Sequence, residues 1–285
     1  MKRRQLLKFS AAAIAAAAAP LRSFAQGSKE VRIGFQKYGK LVLLKSKGSL
    51  EPKLKALGYS VSWTEFPFGP PLLEAINVGS IDFGNTGETP PVFAQAAGAA
   101  IRYVAYEPPA QKGEAILVPK DSSLKSVAEL KGKKVAVAKG SNAHYLLVKA
   151  LEKAGVKFEE ITPAYLVPAD ALAAFDRGSI DAWSIWDPYL SAAETTLGAR
   201  VLTDATGIVP NTQFYLASQK FVETETKVLD LLLAELREVD SWAKSDIHAV
   251  AGQLSSLVGL SVPILEVALK RQSYGTFLQS LGLRN

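Results

Sequence analysis

The chain repeats itself. Gly79-Ser80-Ile81-Asp82 returns as Gly178-Ser179-Ile180-Asp181, 99 residues later, and at the same offset Leu73 matches Leu172, Ala75 matches Ala174 and Ile76 is answered by Phe175. Each copy reads as a short helix, a glycine stop and a strand entering at the isoleucine. Seven positions with shared punctuation suggest two lobes of similar design. Independent convergence on a common helix–turn–strand unit is the competing explanation. The surrounding pattern is that of an α/β protein. Val31–Phe35, Val61–Phe66 and Val135–Ala138 read as strands, and helical patterns follow at Leu41, at Leu72–Val78 and over Leu147–Ala154. Such alternation builds sheets with crossover helices. Two such lobes set their strand ends across a shared crevice, where open sheets bind ligands.

Three strand-to-helix junctions are the candidate lining of that crevice: Gln36-Lys37-Tyr38-Gly39-Lys40, Gly84–Pro91 with Thr86, Gly87, Glu88 and Thr89, and Lys139-Gly140-Ser141-Asn142-Ala143-His144. Each joins glycine or a small hydroxyl residue to a helix start. Free backbone N–H groups and the positive end of a helix dipole then face one space, which is the physics of an anion site. Capped helices with no ligand have the same signature. A fourth segment, Trp183-Ser184-Ile185-Trp186-Asp187-Pro188-Tyr189, follows the second repeat. The 99-residue offset aligns Trp186 with Gly87 and Asp187 with Glu88, which predicts a position across the crevice. Trp183 is read as packing and Trp186 as an apolar wall.

Charge and composition remove most other classes. The net charge is +6, but residues 1–25 carry Lys2, Arg3, Arg4, Lys8 and Arg22 without one acid, leaving 28 basic against 27 acidic side chains. A nucleic-acid partner is therefore not expected. That first segment has the order of an export signal: a basic start, an eleven-residue apolar run from Phe9 to Ala19, Pro20, then Ser23-Phe24-Ala25. Eleven residues at about 1.5 Å each fall short of a hydrocarbon core of about 30 Å. Arg3-Arg4-Gln5-Leu6-Leu7-Lys8 resembles the twin-arginine motif, with a Sec signal as the alternative. The mature chain is expected to be exported, soluble, and to begin near Gln26. There is no cysteine, so a disulfide scaffold, a thiol nucleophile and a lipoprotein are not expected. The two histidines, His144 and His248, have no metal-ligand spacing. His248, in the helical stretch Val239–Val250, reads as a surface residue. Ser141 and His144 stand three apart without a G-x-S-x-G elbow. Ser122/Lys125 and Ser241/Lys244 lack the companion motifs of a β-lactamase. No P-loop or G-x-G-x-x-G occurs. An enzyme is not expected, nor a cofactor or a metal.

The motifs IGFQK (33–37), FPFGPPLLEAINVGSID (66–82), NTGETPPVFAQAAG (85–98), EPP (107–109), LKGKKVAVAKGSNAH (130–144) and IWDPY (185–189) together resemble the periplasmic aliphatic sulfonate-binding proteins of ABC importers, within a wider family that includes taurine and nitrate binders. The likeness runs from about Val31 to about Pro263. It implies the two-lobe, hinged, venus-flytrap fold of type II periplasmic binding proteins, with the ligand cleft between the lobes. The chain would cross twice, near Gly113–Leu117 and Gln213–Leu216. Residues 26–115 and 214–285 then form lobe 1 and 116–213 lobe 2. The resemblance further implies that Gln36, Gly39, Thr86, Gly87, Gly140, Ser141 and Asn142 hold the sulfonate head. Trp186 would pack the alkyl tail and Asp187 would brace its loop. Glu88 is the awkward member, since a carboxylate repels an anion; it is read as facing solvent, with an amine at the ligand's far end as the alternative. The implied partners are a sulfonate and a membrane permease, and the protein is expected to be a monomer. The chain departs from the resemblance after Tyr274-Gly275. It reads as shortened at Leu281–Asn285, with apolar surface left uncovered on the first lobe.

Overall fold

The computed structural model of the chain describes residues 29–278. The expected export signal over residues 1–25 and the shortened end at Leu281–Asn285 lie outside the described residues. From the N-terminus the elements are β1 (Lys29–Phe35), α1 (Lys40–Lys47), α2 (Leu50–Ala56), β2 (Tyr59–Glu65), α3 (Gly69–Asn77), β3 (Phe83–Gly87), α4 (Thr89–Ala96) and β4 (Ile101–Tyr106). There follow β5 (Glu114–Val118), β6 (Lys134–Val137), α5 (Asn142–Lys153), β7 (Thr162–Tyr165), α6 (Pro168–Asp176), β8 (Ala182–Trp186), α7 (Tyr189–Leu197) and β9 (Arg200–Asp204). The last are β10 (Gln213–Ser218), α8 (Gln219–Thr224), α9 (Thr226–Ser245), α10 (Ile247–Val258), α11 (Val262–Arg271) and β11 (Phe277–Leu278).

The strands form two mixed sheets, ordered β11-β4-β10-β3-β1-β2 and β7-β6-β8-β5-β9. Each is covered on both faces, as a sheet with crossover helices must be to bury its apolar strands. In the first, Ile33, Phe35, Phe83 and Tyr215 pack beneath α1, α2, α9 and α10, while α3 covers the other face through Leu72, Leu73 and Ile76. In the second, Val135, Val137 and Ile116 meet α5 through Leu147 and Leu151, and Ala136, Trp183 and Ile185 meet α6 and α7. Trp183 is fully buried there.

The sequence repeat is a structural one. Shifted by 99 residues, the bounds of α3 and β3 become those of α6 and β8. Gly79 and Gly178 take φ of 73° and 65°, the left-handed conformation that ends a helix most cheaply at glycine. Asp82 and Asp181 then do the same job in each lobe. The Asp82 carboxylate accepts the Arg32 backbone N–H at 2.9 Å, and that of Asp181 accepts the Lys134 backbone N–H at 2.7 Å. Each aspartate so pins the strand it feeds beside a parallel neighbour, β3 along β1 and β8 along β6.

Two expectations need correction. The segments expected to cross between lobes do not. Glu114–Leu117 pairs with β8 and Gln213–Ala217 with β3, so their backbone groups are already used within one sheet each. The crossings lie just before them, in the proline-bearing stretches after Tyr106 and after Asp204. They are tied together by Glu107 N–H to Gln213 O (2.9 Å) and Ala110 N–H to Asn211 O (3.3 Å). The stretch Val239–Val250 is not one helix either. It breaks at Asp246, whose carboxylate accepts the Ala249 N–H at 2.9 Å and starts α10 afresh. His248 on α10 is largely exposed, beside Glu266.

Candidate functional site

Where the lobes meet, a small cavity of about 30 Å³ is lined from the first lobe by Gln36, Tyr38, Gly69, Asn85, Gly87 and Pro90, and from the second by Ser141, Asn142 and Trp186. Asn211 and Gln213, at the return crossing, complete it. No lining side chain is charged. α3, α4 and α5 all begin at this wall, because Gly69 opens α3, Pro90 lies in the first turn of α4 and Asn142 opens α5. Their positive dipole ends bias the space toward an anion without a cation, although Pro70, Pro71, Pro90 and Pro91 carry no N–H and leave α3 and α4 few first-turn donors. Ser141 caps α5, its Oγ accepting the His144 N–H at 3.2 Å.

The lobes are clasped across this cavity. Asn142 Oδ1 accepts the Thr89 N–H at the start of α4 (3.0 Å), and Asn142 Nδ2 donates to Asn211 Oδ1 (3.2 Å). Asn211 Nδ2 passes the chain to the Ala110 carbonyl at 2.9 Å. One amide relay therefore joins both lobes and both crossings. Gly87 makes the approach possible, since a Cβ there would stand 2.2 Å from the Asn142 side chain. Gln36 Nε2 donates to the Asn85 carbonyl at 2.9 Å, and Asn85 is buried with its Oδ1 unpartnered.

Charged groups ring the cavity but are neutralised or turned away. The Lys40 ammonium is fully buried between Glu107 (2.8 Å) and Asp240 (2.9 Å), behind the wall. Burial alone would lower its pKa, yet those carboxylates outweigh burial and leave it raised. Glu88 corrects the expectation of a solvent-facing residue. It is half-buried, and its carboxylate accepts the backbone N–H groups of Thr212 (2.9 Å) and Asn211 (3.3 Å). The return crossing has backbone donors outside any sheet, and Glu88 satisfies them. Burial pushes its pKa up, against the pull of those N–H groups. Glu114 is fully buried without a hydrogen-bond partner, and burial, then the nearby Glu88, pushes it well above the ordinary range. Asp187 is buried and pushed to about 6 by burial, against the Ser191 hydrogen bonds and the Arg271 charge. Its Oδ1 accepts the Ser191 N–H at 3.0 Å and so braces the loop beneath Trp186.

The structure brings together Gln36, Gly87, Ser141, Asn142 and Trp186 at the cavity wall. Thr86 is buried just behind, its hydroxyl donating to the Gly87 carbonyl. Gly39 packs on the Asn85 amide rather than lining the space. Gly140 faces an adjoining apolar cavity, and its N–H donates to His144 Nδ1 at 3.1 Å. The Ser141 hydroxyl donates to the Ala138 carbonyl at 2.7 Å, so serine and imidazole are not paired as nucleophile and base. Tyr38 and Asn85 sit inside junctions already singled out by sequence. Gly69 stands in the FGPP run. Asn211 and Gln213 come from the return crossing, where the one signal is Pro210-Asn211; Asn211 has the left-handed φ of 52° that such a turn favours.

Comparison with known proteins places this arrangement. The sequence matches the NMT1/THI5 like family over residues 71–243. It is 46% identical over 261 residues to an Escherichia coli (strain K12) protein named for binding aliphatic sulfonates, covering 91% of this chain and 79% of that one. The chain belongs to the aliphatic sulfonate-binding family. Two solved members share the fold. The alkanesulfonate-binding protein SsuA from Xanthomonas axonopodis pv. citri, bound to MOPS, superposes with a TM-score of 0.83 at 41% identity, covering 89% of this chain and 87% of that one. The periplasmic aliphatic sulphonate binding protein SsuA from Escherichia coli gives 0.78 at 46% identity, covering 90% and 82%.

Proposed function

We propose that this chain is the periplasmic, monomeric binding component of an ABC importer. It closes its two lobes on an aliphatic sulfonate and delivers it to a membrane permease, without turning it over. The observation that carries the reading is the uncharged, donor-lined cavity at three helix starts, clasped between the lobes. A sulfonate stays ionised at physiological pH and offers three acceptor oxygens, which N–H and hydroxyl donors satisfy. A neutral cradle binds it without burying a fixed lysine charge whose pairing would slow release. Gln36 and Asn142, whose amides each have a second hydrogen to give, and the backbone at Gly87 are the donors assigned to the head group, joined by Ser141 when its hydroxyl leaves the Ala138 carbonyl; Trp186 is its apolar neighbour, and Thr86, Glu88 and Asp187 hold the wall. The names of the relatives support the ligand class.

Thermal unfolding with alkanesulfonates, taurine, nitrate and sulfate tests this. A ligand at about 100 times its dissociation constant adds about 2.7 kcal/mol, a rise of about 5–10 °C for a chain of this size. The rise is expected with alkanesulfonates. A rise with nitrate or taurine alone would move the assignment to another oxyanion or organosulfur ligand, and a cooperative transition blind to all of them would overturn it.

A further inference from the structure

His144 closes the junction that begins at Lys139, yet its ring does not line the cradle. It lies half-buried on the other side of that junction, with ring centroids 5.3 Å from Phe158 and 5.8 Å from Tyr165. What the imidazole touches is the junction itself, since the Gly140 N–H donates to Nδ1 at 3.1 Å. The His144 N–H is held in turn by Ser141 Oγ at 3.2 Å. Gly140 and His144 thus close a small loop around Ser141 and Asn142, the head-group residues of this junction. A backbone N–H can only donate, so Nδ1 must accept, and an imidazole with an accepting nitrogen is neutral with its hydrogen on Nε2. A second proton, on Nδ1, would set two donors against each other.

The charged groups about the ring do not favour that proton. Burial, then the Lys139 ammonium in the same junction, pushes the imidazole's pKa down. Lys139 itself sits over the Tyr165 ring of β7 at 5.3 Å. The turn at Phe158 carries Glu159, which is exposed, and Glu160, which pairs with Lys131 at 2.7 Å. On α5 the next ionisable groups are the exposed Tyr145 and Lys149, the latter paired with Glu152. From the first lobe, α3 brings the exposed Glu74 to the apolar cavity that His144 lines. α4 has no ionisable residue, and Glu88 before it is bound to the return crossing.

We propose that His144 is a positioning residue for the sulfonate: its neutral imidazole holds the Gly140 N–H and so sets Ser141 and Asn142 toward the cavity, and a proton on the ring dismantles that arrangement and weakens capture in acid. This holds only on the sulfonate reading of the cradle. Its sign is opposite to that of simple charge attraction, in which a cationic ring would draw the anion in.

Calorimetric titration with ethanesulfonate from pH 4.5 to pH 8, on wild type, His144→Asn and His144→Leu, tests this. Asparagine sets its Oδ1 where Nδ1 stands and takes up no proton, whereas leucine keeps an apolar contact with Phe158 and Tyr165 and offers no acceptor. At pH 8, His144→Asn is expected to bind within about threefold of wild type, and His144→Leu about tenfold or more weakly, because the Gly140 N–H is left unpaired. Below the ordinary histidine value of about 6.5, wild type is expected to lose affinity relative to His144→Asn, by about fivefold or more at pH 4.5. Asp187 and Glu88 are present in both proteins and drop out of that ratio. Nitrogen NMR of the wild-type imidazoles should find the His144 hydrogen on Nε2. A hydrogen on Nδ1, a ratio flat across the range or rising in favour of wild type in acid, or a His144→Leu variant that binds like wild type would overturn the proposal and leave the cradle intact. Should His144→Leu fail to unfold cooperatively, the His144→Asn ratio and the nitrogen spectrum decide the matter. If wild type binds no alkanesulfonate at any pH, the functional reading fails and the proposal with it.

Discussion

At the scale of single residues the cleft depends on side chains whose charge is settled by burial. Asp187 is the clearest. Its carboxyl is raised from 3.8 to about 6, chiefly by burial, so the folded chain holds that proton more tightly than the unfolded chain does. The stability the proton brings is therefore complete below about pH 4 and is lost as the pH rises through about 6. Asp187→Asn removes the titration and keeps an acceptor for the Ser191 N–H. Its melting temperature should gain on wild type between pH 5 and pH 7.5, measured by thermal unfolding in matched buffers. A constant difference across that range would show that Asp187 is not held in its raised state. The residue is legible in the IWDPY run as a brace. Its raised pKa is not, because that follows from being sealed beneath α7 deeply enough to outweigh the charge of Arg271, a residue 84 positions away. Glu88 misleads for a related reason. Its partners, the Asn211 and Thr212 backbone donors, belong to a crossing whose one local signal, Pro210-Asn211, says nothing of Glu88.

Elements are more readable than contacts. The repeat predicts two helix–glycine–strand units, and α3–β3 and α6–β8 occur in register with each other. Both glycines have open space where a Cβ would stand, so replacing either by alanine tests the backbone conformation alone. Gly79→Ala and Gly178→Ala should each cost about 1 kcal/mol, the order of the left-handed penalty. The two costs should add, because the sites lie in different lobes. Denaturant unfolding of the singles and the double measures this, and a strongly non-additive double would show that the two units are not independent equivalents. What the elements do not reveal is sheet membership. β5 and β10 are apolar strands like their neighbours, and only hydrogen-bonded pairing shows that each lies wholly within one sheet. Asp246 likewise reads as part of a helix, since the pattern of apolar residues continues past it.

For the whole molecule, the crossings, the relay through Asn142 and Asn211, and the tie from Arg271 on α11 to Glu194 on α7 (2.7 Å) hold two independently packed lobes shut on one small polar space. The fold's resemblance to the binding-protein family is visible in six motifs, yet those motifs do not say how the lobes touch. That depends on Gly87 facing Asn142 across the cleft at a separation that leaves no room for a Cβ. The central claim is that closure at this contact is what captures a sulfonate. Calorimetric titration with an alkanesulfonate, comparing wild type with Gly87→Ala, tests it most directly. Wild type should show one saturable site per chain, and Gly87→Ala an affinity at least tenfold weaker in a variant that still unfolds cooperatively. Equal affinities in the two proteins, or no saturable heat in wild type, would contradict the claim.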